Sequence, residues 1–304
     1  AGVTWTRRSN EVWEGRFAVT RLGMDRLPAA IGGPSMKELF GITGLPEGPR
    51  IQGGITPQDI TGFPRLGRQS TNPQAQFPTS VNARLNVSKI LNRHNLKAGY
   101  ENLSLAITVD DTNPLYGIDG FGGNYSRIPG QNFGVYAGGP ANTINSLADF
   151  YFGARSSYQL ATQVQARARQ HGNWFFVQDD YRVNNKLTLN LGLRYELMTP
   201  VYDADNKLAN FDPAQNKLIV ATGDGISGRT LQRSKNNNFS PRLGAAYQLN
   251  AKTVVRGGYG FGWNYWNRMA SAEFLNTNAP FVTRFSTLNS AATLGNLCTG
   301  DNWS

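Results

Sequence analysis

Apolar and polar residues alternate with a period of two in several stretches of this 304-residue chain. In Leu187–Glu196 one face reads Leu187, Leu189, Leu191, Leu193, Tyr195, and the other Thr188, Asn190, Gly192, Arg194, Glu196. A β-strand sends successive side chains to opposite faces, so this alternation predicts a strand with one apolar and one polar side. The same division predicts strands over 239–249, 253–263, 81–91 and 13–22. Two further segments fit less well. Asn173–Val183 places Asp179 among Phe175, Val177 and Tyr181, a charge on the apolar side. After His94, the residues Leu96, Ala98 and Tyr100 share one parity, whereas Leu103, Leu105, Ile107 and Val109 have the other. Either a bulge near Asn102 or a strand continuing beyond the apolar environment accounts for that switch.

The connections alternate in length. Short, turn-forming sequences lie at Ser9-Asn10, Asn92–Asn95, Asn184–Lys186 and Asn250–Lys252. Between them come long polar segments at about 23–78, 110–162, 198–238 and from 264 onward. Soluble domains rarely hold several loops longer than about 15 residues. Antiparallel transmembrane barrels combine short periplasmic turns with long extracellular loops, apolar outside and polar inside. The pattern therefore predicts an all-β protein, an antiparallel transmembrane β-barrel contributing about eight strands with long extracellular loops.

Composition narrows the function. The net charge is +10, but the basic residues stand singly between apolar ones, and no run of five or six marks a nucleic-acid arm. A single cysteine, Cys298, excludes an internal disulfide and a cysteine-rich metal site, and the two histidines, His94 and His171, make a poor basis for a catalytic centre. No G-x-S-x-G elbow is present. Gly223–Gly228 matches G-x-G-x-x-G, yet 229–238 offers no apolar helical face, so a glycine turn in a loop is expected rather than a dinucleotide site. Asp203, Asp205 and Asp212 lack the glycine and closing glutamate of a calcium loop, and adjacent Asp179 and Asp180 point to opposite faces. No catalytic, cofactor or metal residue is expected.

Asn173–Val183 running into Leu187–Glu196, with Phe239–Tyr247, Val254–Gly260, Ala148–Gly153 and His94–Glu101 in the same order, resembles the barrel of Oar-like TonB-dependent outer-membrane receptors. The resemblance implies a Gram-negative outer-membrane location. It also implies a parent protein that moves a solute too large for passive porins, energised by TonB acting through a plug. No TonB box or plug is recognisable, so all of 1–304 is expected to be a middle part of one barrel domain. Its expected partners are outer-membrane lipid, the missing plug and remaining strands, TonB indirectly, and an unidentified solute; nucleic acid is not among them. The parity that sends leucines outward sends Arg8, Glu14, Arg16, Arg84, Lys97, Glu101, Asp180, Arg182, Arg194, Glu196, Arg242 and Arg256 inward. Of these, Arg84, Asp180, Arg182, Arg194, Glu196, Arg242 and Arg256 are the candidate lumen residues. Tyr125, Trp263, Tyr265 and Trp266 are candidate ligand contacts in loops. Two other readings fit period-two strands: a soluble, surface-exposed adhesin or carbohydrate-binding protein, and a small passive pore.

Overall fold

The computed structural model describes residues 1–127, 140–162, 165–263, 275 and 278–288. Two compact units emerge: residues 1–23, 77–108 and 167–275 form the first, and 24–76, 109–166 and 276–304 the second.

The first unit is built on eight long antiparallel strands: β1 (Gly2–Arg8), β2 (Glu11–Arg21), β3 (Gln74–Leu91), β4 (His94–Asp110), β5 (Gln165–Arg182), β6 (Leu187–Met198), β7 (Phe239–Asn250) and β8 (Thr253–Gly260). Each pairs with its neighbour in sequence, giving the order β1 to β8 without crossovers. The turns follow from side-chain chemistry at the expected positions. Asn184 Oδ1 accepts from the backbone N–H groups of Lys186 and Leu187, and Asn250 Oδ1 from that of Lys252. Asn92 takes a positive φ of 51°, which asparagine tolerates better than most residues.

Cross-strand register fixes the faces. Trp5 lies opposite Trp13 and Trp13 opposite Val87; Phe17 faces Ala83 and Val19 faces Val81. Further along the sheet Leu193 sits between Val177 and Pro241, and Leu191 is opposite Leu243, itself opposite Tyr259. This face is apolar and stays exposed: Phe17, Val19, Leu85, Val177, Leu243 and Val255 are each about half accessible. A surface of that size and polarity is matched to lipid, not water. Strand length agrees. The eight steps from Leu187 to Tyr195 span roughly 26 Å, or about 20 Å of height at a 40° tilt, close to the ~25 Å apolar band of outer-membrane barrels. Among the described residues no helix is long and apolar enough to cross a membrane.

One charge expected on the polar face moves. A register shift between Thr6 and Arg8 pairs Arg8 with Glu11, which shares the face of Trp13, so Arg8 leaves the inward row. Glu11 there accepts from the Trp13 indole at 2.9 Å and pairs with Lys89 and Arg7 at 3.1 and 3.2 Å.

The switch in parity along β4 comes from the strand running on, without a bulge being needed. Asn102 donates to Gly172 O and Asn173 Oδ1, and Ser104 bonds His171 Nδ1 at 2.9 Å, so both keep the face of Tyr100. The outward side turns polar and the opposite side becomes buried, with Ile107 at 3% exposure and Ala166, Ala168 and Gln170 at 2–3%. Water outside in place of lipid reverses which face must be apolar.

Segments expected to be plain loops hold the second unit. A four-stranded sheet runs in the order 284–288, 157–161, 118–121, 58–60, its last pair parallel. Helix α1 (Met36–Phe40) opens with a capping box between Ser35 and Glu38. Helix α2 (Pro140–Tyr151) lies on the sheet, Phe150 edge-on to Phe121 with ring centres 5.3 Å apart. Its core holds a buried ion pair, Arg155 to Asp119 at 2.9 Å, and Asp119 also accepts from Gln58 and Thr56. Burial pushes the nearby Tyr158 hydroxyl above the usual phenol range, the Asp119 charge adding and the Arg155 charge opposing.

Candidate functional site: the polar face of the sheet

The registers bring Arg84, Asp180, Arg182, Arg194, Glu196, Arg242 and Arg256 to one face. Arg84 is opposite Arg16 on β2, Asp180 opposite Asn190, and Arg182 opposite Thr188. Arg194 is opposite both Phe176 and Ser240, Glu196 opposite Trp174, Arg242 between Gly192 and Gly260, and Arg256 opposite Ala246. Arg84 and Asn82 both donate to Glu101 Oε1, at 2.7 and 2.9 Å, which puts β4's odd positions on the same side.

The charges divide into two kinds. Arg84–Glu101 and Arg194–Glu196 are ion pairs, the latter at 3.0 Å with the Arg194 guanidinium 5.9 Å from the centre of the Trp174 ring. Asp180 accepts from Asn190 at 2.7 Å and Gln178 at 3.2 Å. Arg16, Arg182, Arg242 and Arg256 make no ion pair among the described residues. The surplus is therefore cationic, with Arg16 on β2, Arg182 on β5, Arg242 on β7 and Arg256 on β8.

Small residues shape the surface around these arginines. Gly192, Gly244, Gly258 and Gly260 share the polar face of β6–β8. Beside them is an open recess of about 580 Å³ lined by Thr188, Asn190, Ala246 and Arg256. A second recess, about 220 Å³, lies between Arg84, Asn86, Glu101, Phe176 and Arg194. At Gly99 on β4 even a Cβ would collide with the Phe176 ring and the Asn86 side-chain oxygen, so that close approach requires glycine. Such a face can hold polar or anionic groups by direct hydrogen bonds to guanidinium, with backbone exposed between the side chains.

The candidate loop residues are scattered. Tyr125 is tied by its backbone N–H to Asp149 in the second unit. Trp263 donates its indole N–H to Phe239 O and stands edge-on to Phe261, closing the end of β7. Tyr265 and Trp266 lie outside the described residues. Gly225–Thr230 is a six-residue helix, α3, where a glycine turn was expected, and it follows an antiparallel hairpin (209–212 with 217–220) instead of a parallel strand. Asp203 is wholly buried and accepts backbone N–H bonds from Arg167, Asp205 and Lys207. Among the described residues no cluster of three metal-ligating side chains forms.

On the other face the register aligns a row of rings. Tyr100 packs on Phe175 with centres 4.8 Å apart, Phe175 is opposite Tyr195, and Tyr195 packs on Phe239 at 4.8 Å. Four consecutive strands thus carry aromatic rings at one level, the signature of an interfacial girdle. The family model for the outer membrane beta barrel domain matches residues 1–302. This chain belongs to that family. The barrel domain is 28% identical over 208 residues to the TonB-dependent transporter Oar of Myxococcus xanthus, an alignment covering 66% of this chain and 16% of that protein. The chain therefore spans about a sixth of the length of that relative. Among solved structures, P. aeruginosa FpvA bound to a heterologous pyoverdine and iron matches at a TM-score of 0.41, with 14% identity over 84% of this chain and 25% of that one. The Ralstonia pickettii toluene transporter TbuX matches at 0.26, with 9% identity over 86% and 68%. The barrel domain lies in the outer membrane, its girdled face toward lipid.

Proposed function

We propose that the barrel domain forms part of the wall of a TonB-dependent transporter and that its polar face lines the path of a large, polar or anionic solute. The observation that carries this reading is the cationic surplus on the polar face, where Arg242 on β7 and Arg256 on β8 stand without an ion pair among the described residues beside a glycine floor. Guanidinium groups without a carboxylate partner on such a wall raise the local concentration of anions and offer them bidentate hydrogen bonds. Glycines let a solute or another chain segment approach the backbone. The wall binds and guides; no covalent chemistry is assigned to any residue. Energy would reach it through TonB and a plug, and further strands would complete the ring. A soluble adhesin is disfavoured by the half-exposed leucines, valines and rings that cover the opposite face.

The test is uptake by cells expressing the parent gene with Arg242→Gln and Arg256→Gln together. Depletion of anionic solutes too large for porins is measured from the medium, with and without dissipation of the inner-membrane proton gradient. The reading expects gradient-dependent uptake in the wild type and a fall of about tenfold or more in the variant, with normal amounts of protein in the outer membrane. Uptake that ignores the gradient would point to a passive pore, and wild-type uptake by the variant would remove the arginines from the path.

A further inference from the structure

We propose that the outward face immediately beyond the ring girdle is a binding site for phosphorylated headgroups of outer-leaflet lipid. The inference rests on the membrane reading of the sheet, and it concerns the face opposite the proposed solute path. It begins at Tyr195 of the girdle, whose hydroxyl donates to Asn236 O at 2.9 Å and so fastens the segment entering β7 at the level of the rings. That segment, residues 226–238, contains Arg229, Arg233 and Lys235 and no acidic residue.

One of these cations, Arg229, reaches a second anchor next to β5. His171, four residues beyond Phe175 and on the same face, has both ring nitrogens engaged: Nδ1 with Ser104 at 2.9 Å and Nε2 with the Tyr202 hydroxyl at 3.0 Å. The Arg229 guanidinium lies over the Tyr202 ring, 4.2 Å from its centre, and is held further by Asn206 Oδ1 and Asp203 O. Arg169, opposite Tyr202, donates to backbone carbonyls.

The nearby carboxylates do not neutralise these groups. Asp203 is consumed by three backbone N–H bonds, and Asp205 by Arg167 at 2.9 Å and Lys207 at 3.9 Å. Arg169, Arg229, Arg233 and Lys235 therefore make no ion pair among the described residues, and Arg233 and Lys235 are exposed. A rigid aromatic and imidazole base with Arg229 fixed upon it, Arg233 and Lys235 exposed in the same segment, and an apolar belt beneath place positive charge at headgroup depth. Phosphate monoesters of an outer-leaflet glycolipid supply the complementary charge while their acyl chains lie on the leucine face. A transported solute on the far side of the wall would have no access to this face.

The experiment uses outer membranes carrying the chain, extracted in mild detergent, with heat-shifted gel migration as the check that the strands are assembled. Binding of diphosphorylated lipid A, its dephosphorylated counterpart and inorganic phosphate is followed by tryptophan fluorescence. For the wild type the expected result is saturable binding of the diphosphorylated lipid, at least tenfold tighter than the dephosphorylated form, with no competition by equimolar inorganic phosphate. Replacing Arg229, Arg233 and Lys235 together by Gln should remove that tenfold preference, whereas the Arg242→Gln, Arg256→Gln pair on the opposite face should retain it. An assembled chain that binds both lipids alike, keeps its preference in the triple variant, loses it in the opposite-face pair, or yields to free phosphate overturns the proposal alone. A chain that never shows the heat shift overturns it together with the membrane reading.

Discussion

At the scale of single residues, the charge on the lipid-facing side shows how one local exception is absorbed. Asp179 shares the face of Leu191 and Val177, a charge that the sequence reading accommodates at the membrane interface. Its Oδ2 meets His94 Nδ1 at 2.6 Å, and the imidazole is stacked on Tyr181 with ring centres 4.3 Å apart and planes 4° from parallel. The pair sits three residues from the turn end of β5, where headgroups and water are within reach. Removing one partner should cost more than removing both, because an unpaired carboxylate in a low-dielectric setting loses its compensating bond. His94→Leu is expected to destabilise the refolded chain by about 1–3 kcal/mol, while His94→Leu with Asp179→Leu should return to within about 1 kcal/mol of wild type. Urea unfolding in lipid vesicles measures both. Equal losses in the single and double variants would show that the pair carries no coupling.

At the scale of elements, strand β4 shows what backbone spacing can and cannot reveal. Gly99 is where β4 lets Phe176 of β5 lie flat across the polar face, against Asn86 of β3. Gly99→Val would force that ring aside, and overpacking of this kind costs about 1–3 kcal/mol. The expected result is a lowered heat-shift temperature on gels, partly restored by adding Phe176→Ala; no restoration would mean the clash is not the cause. The eight strands, their turns and their two faces were legible because lipid on one side and polar groups on the other impose a strict period of two on Leu187–Tyr195 and its neighbours. Arg84, Asp180, Arg194 and the other members of the charged row followed from the same parity. Arg8 did not, because a one-residue shift after Thr6 leaves no mark in composition. Nor did the strands of the second unit, which are three to five residues long and too short to display a period. The parity reversal at Leu103 was visible as a conflict, and its cause became plain only when Ser104 was found against His171. Which rings form the girdle depends on register too: Tyr100, Phe175, Tyr195 and Phe239 are ordinary in their own strands and line up in one row only across them.

At the scale of the whole sheet, the decisive question is what its two edges meet. Among the described residues β1 pairs only with β2, and β8 only with β7. Inside a bilayer an unpaired strand edge leaves N–H and C=O groups without partners at several kcal/mol each, so both edges must be covered. Direct closure of β1 on β8 would make an eight-stranded barrel, whose interior is just wide enough for its own side chains. The polar face here would have to fill that space with Arg16 opposite Arg84, together with Arg182, Arg242 and Arg256, none of them ion-paired to a described carboxylate except Arg84. Closing like charges into a narrow core opposes the attraction of the edges for each other. The sheet is therefore expected to join other strands and not to close on itself. With Cys298 replaced by Ser, a cysteine at Trp5 can be combined in turn with one at Val255, Gly257 or Tyr259, which share its face, and the chain oxidised in the membrane. No intramolecular disulfide should form above the level of a control pair on non-adjacent strands, whereas a cysteine pair across Trp5 and Trp13, directly opposite in the register, should form one. Efficient closure of any β1–β8 pair would reverse this conclusion. It would restore the small pore as the working structure of the 304-residue chain, and with it the expectation of ion conductance limited by Arg242 and Arg256.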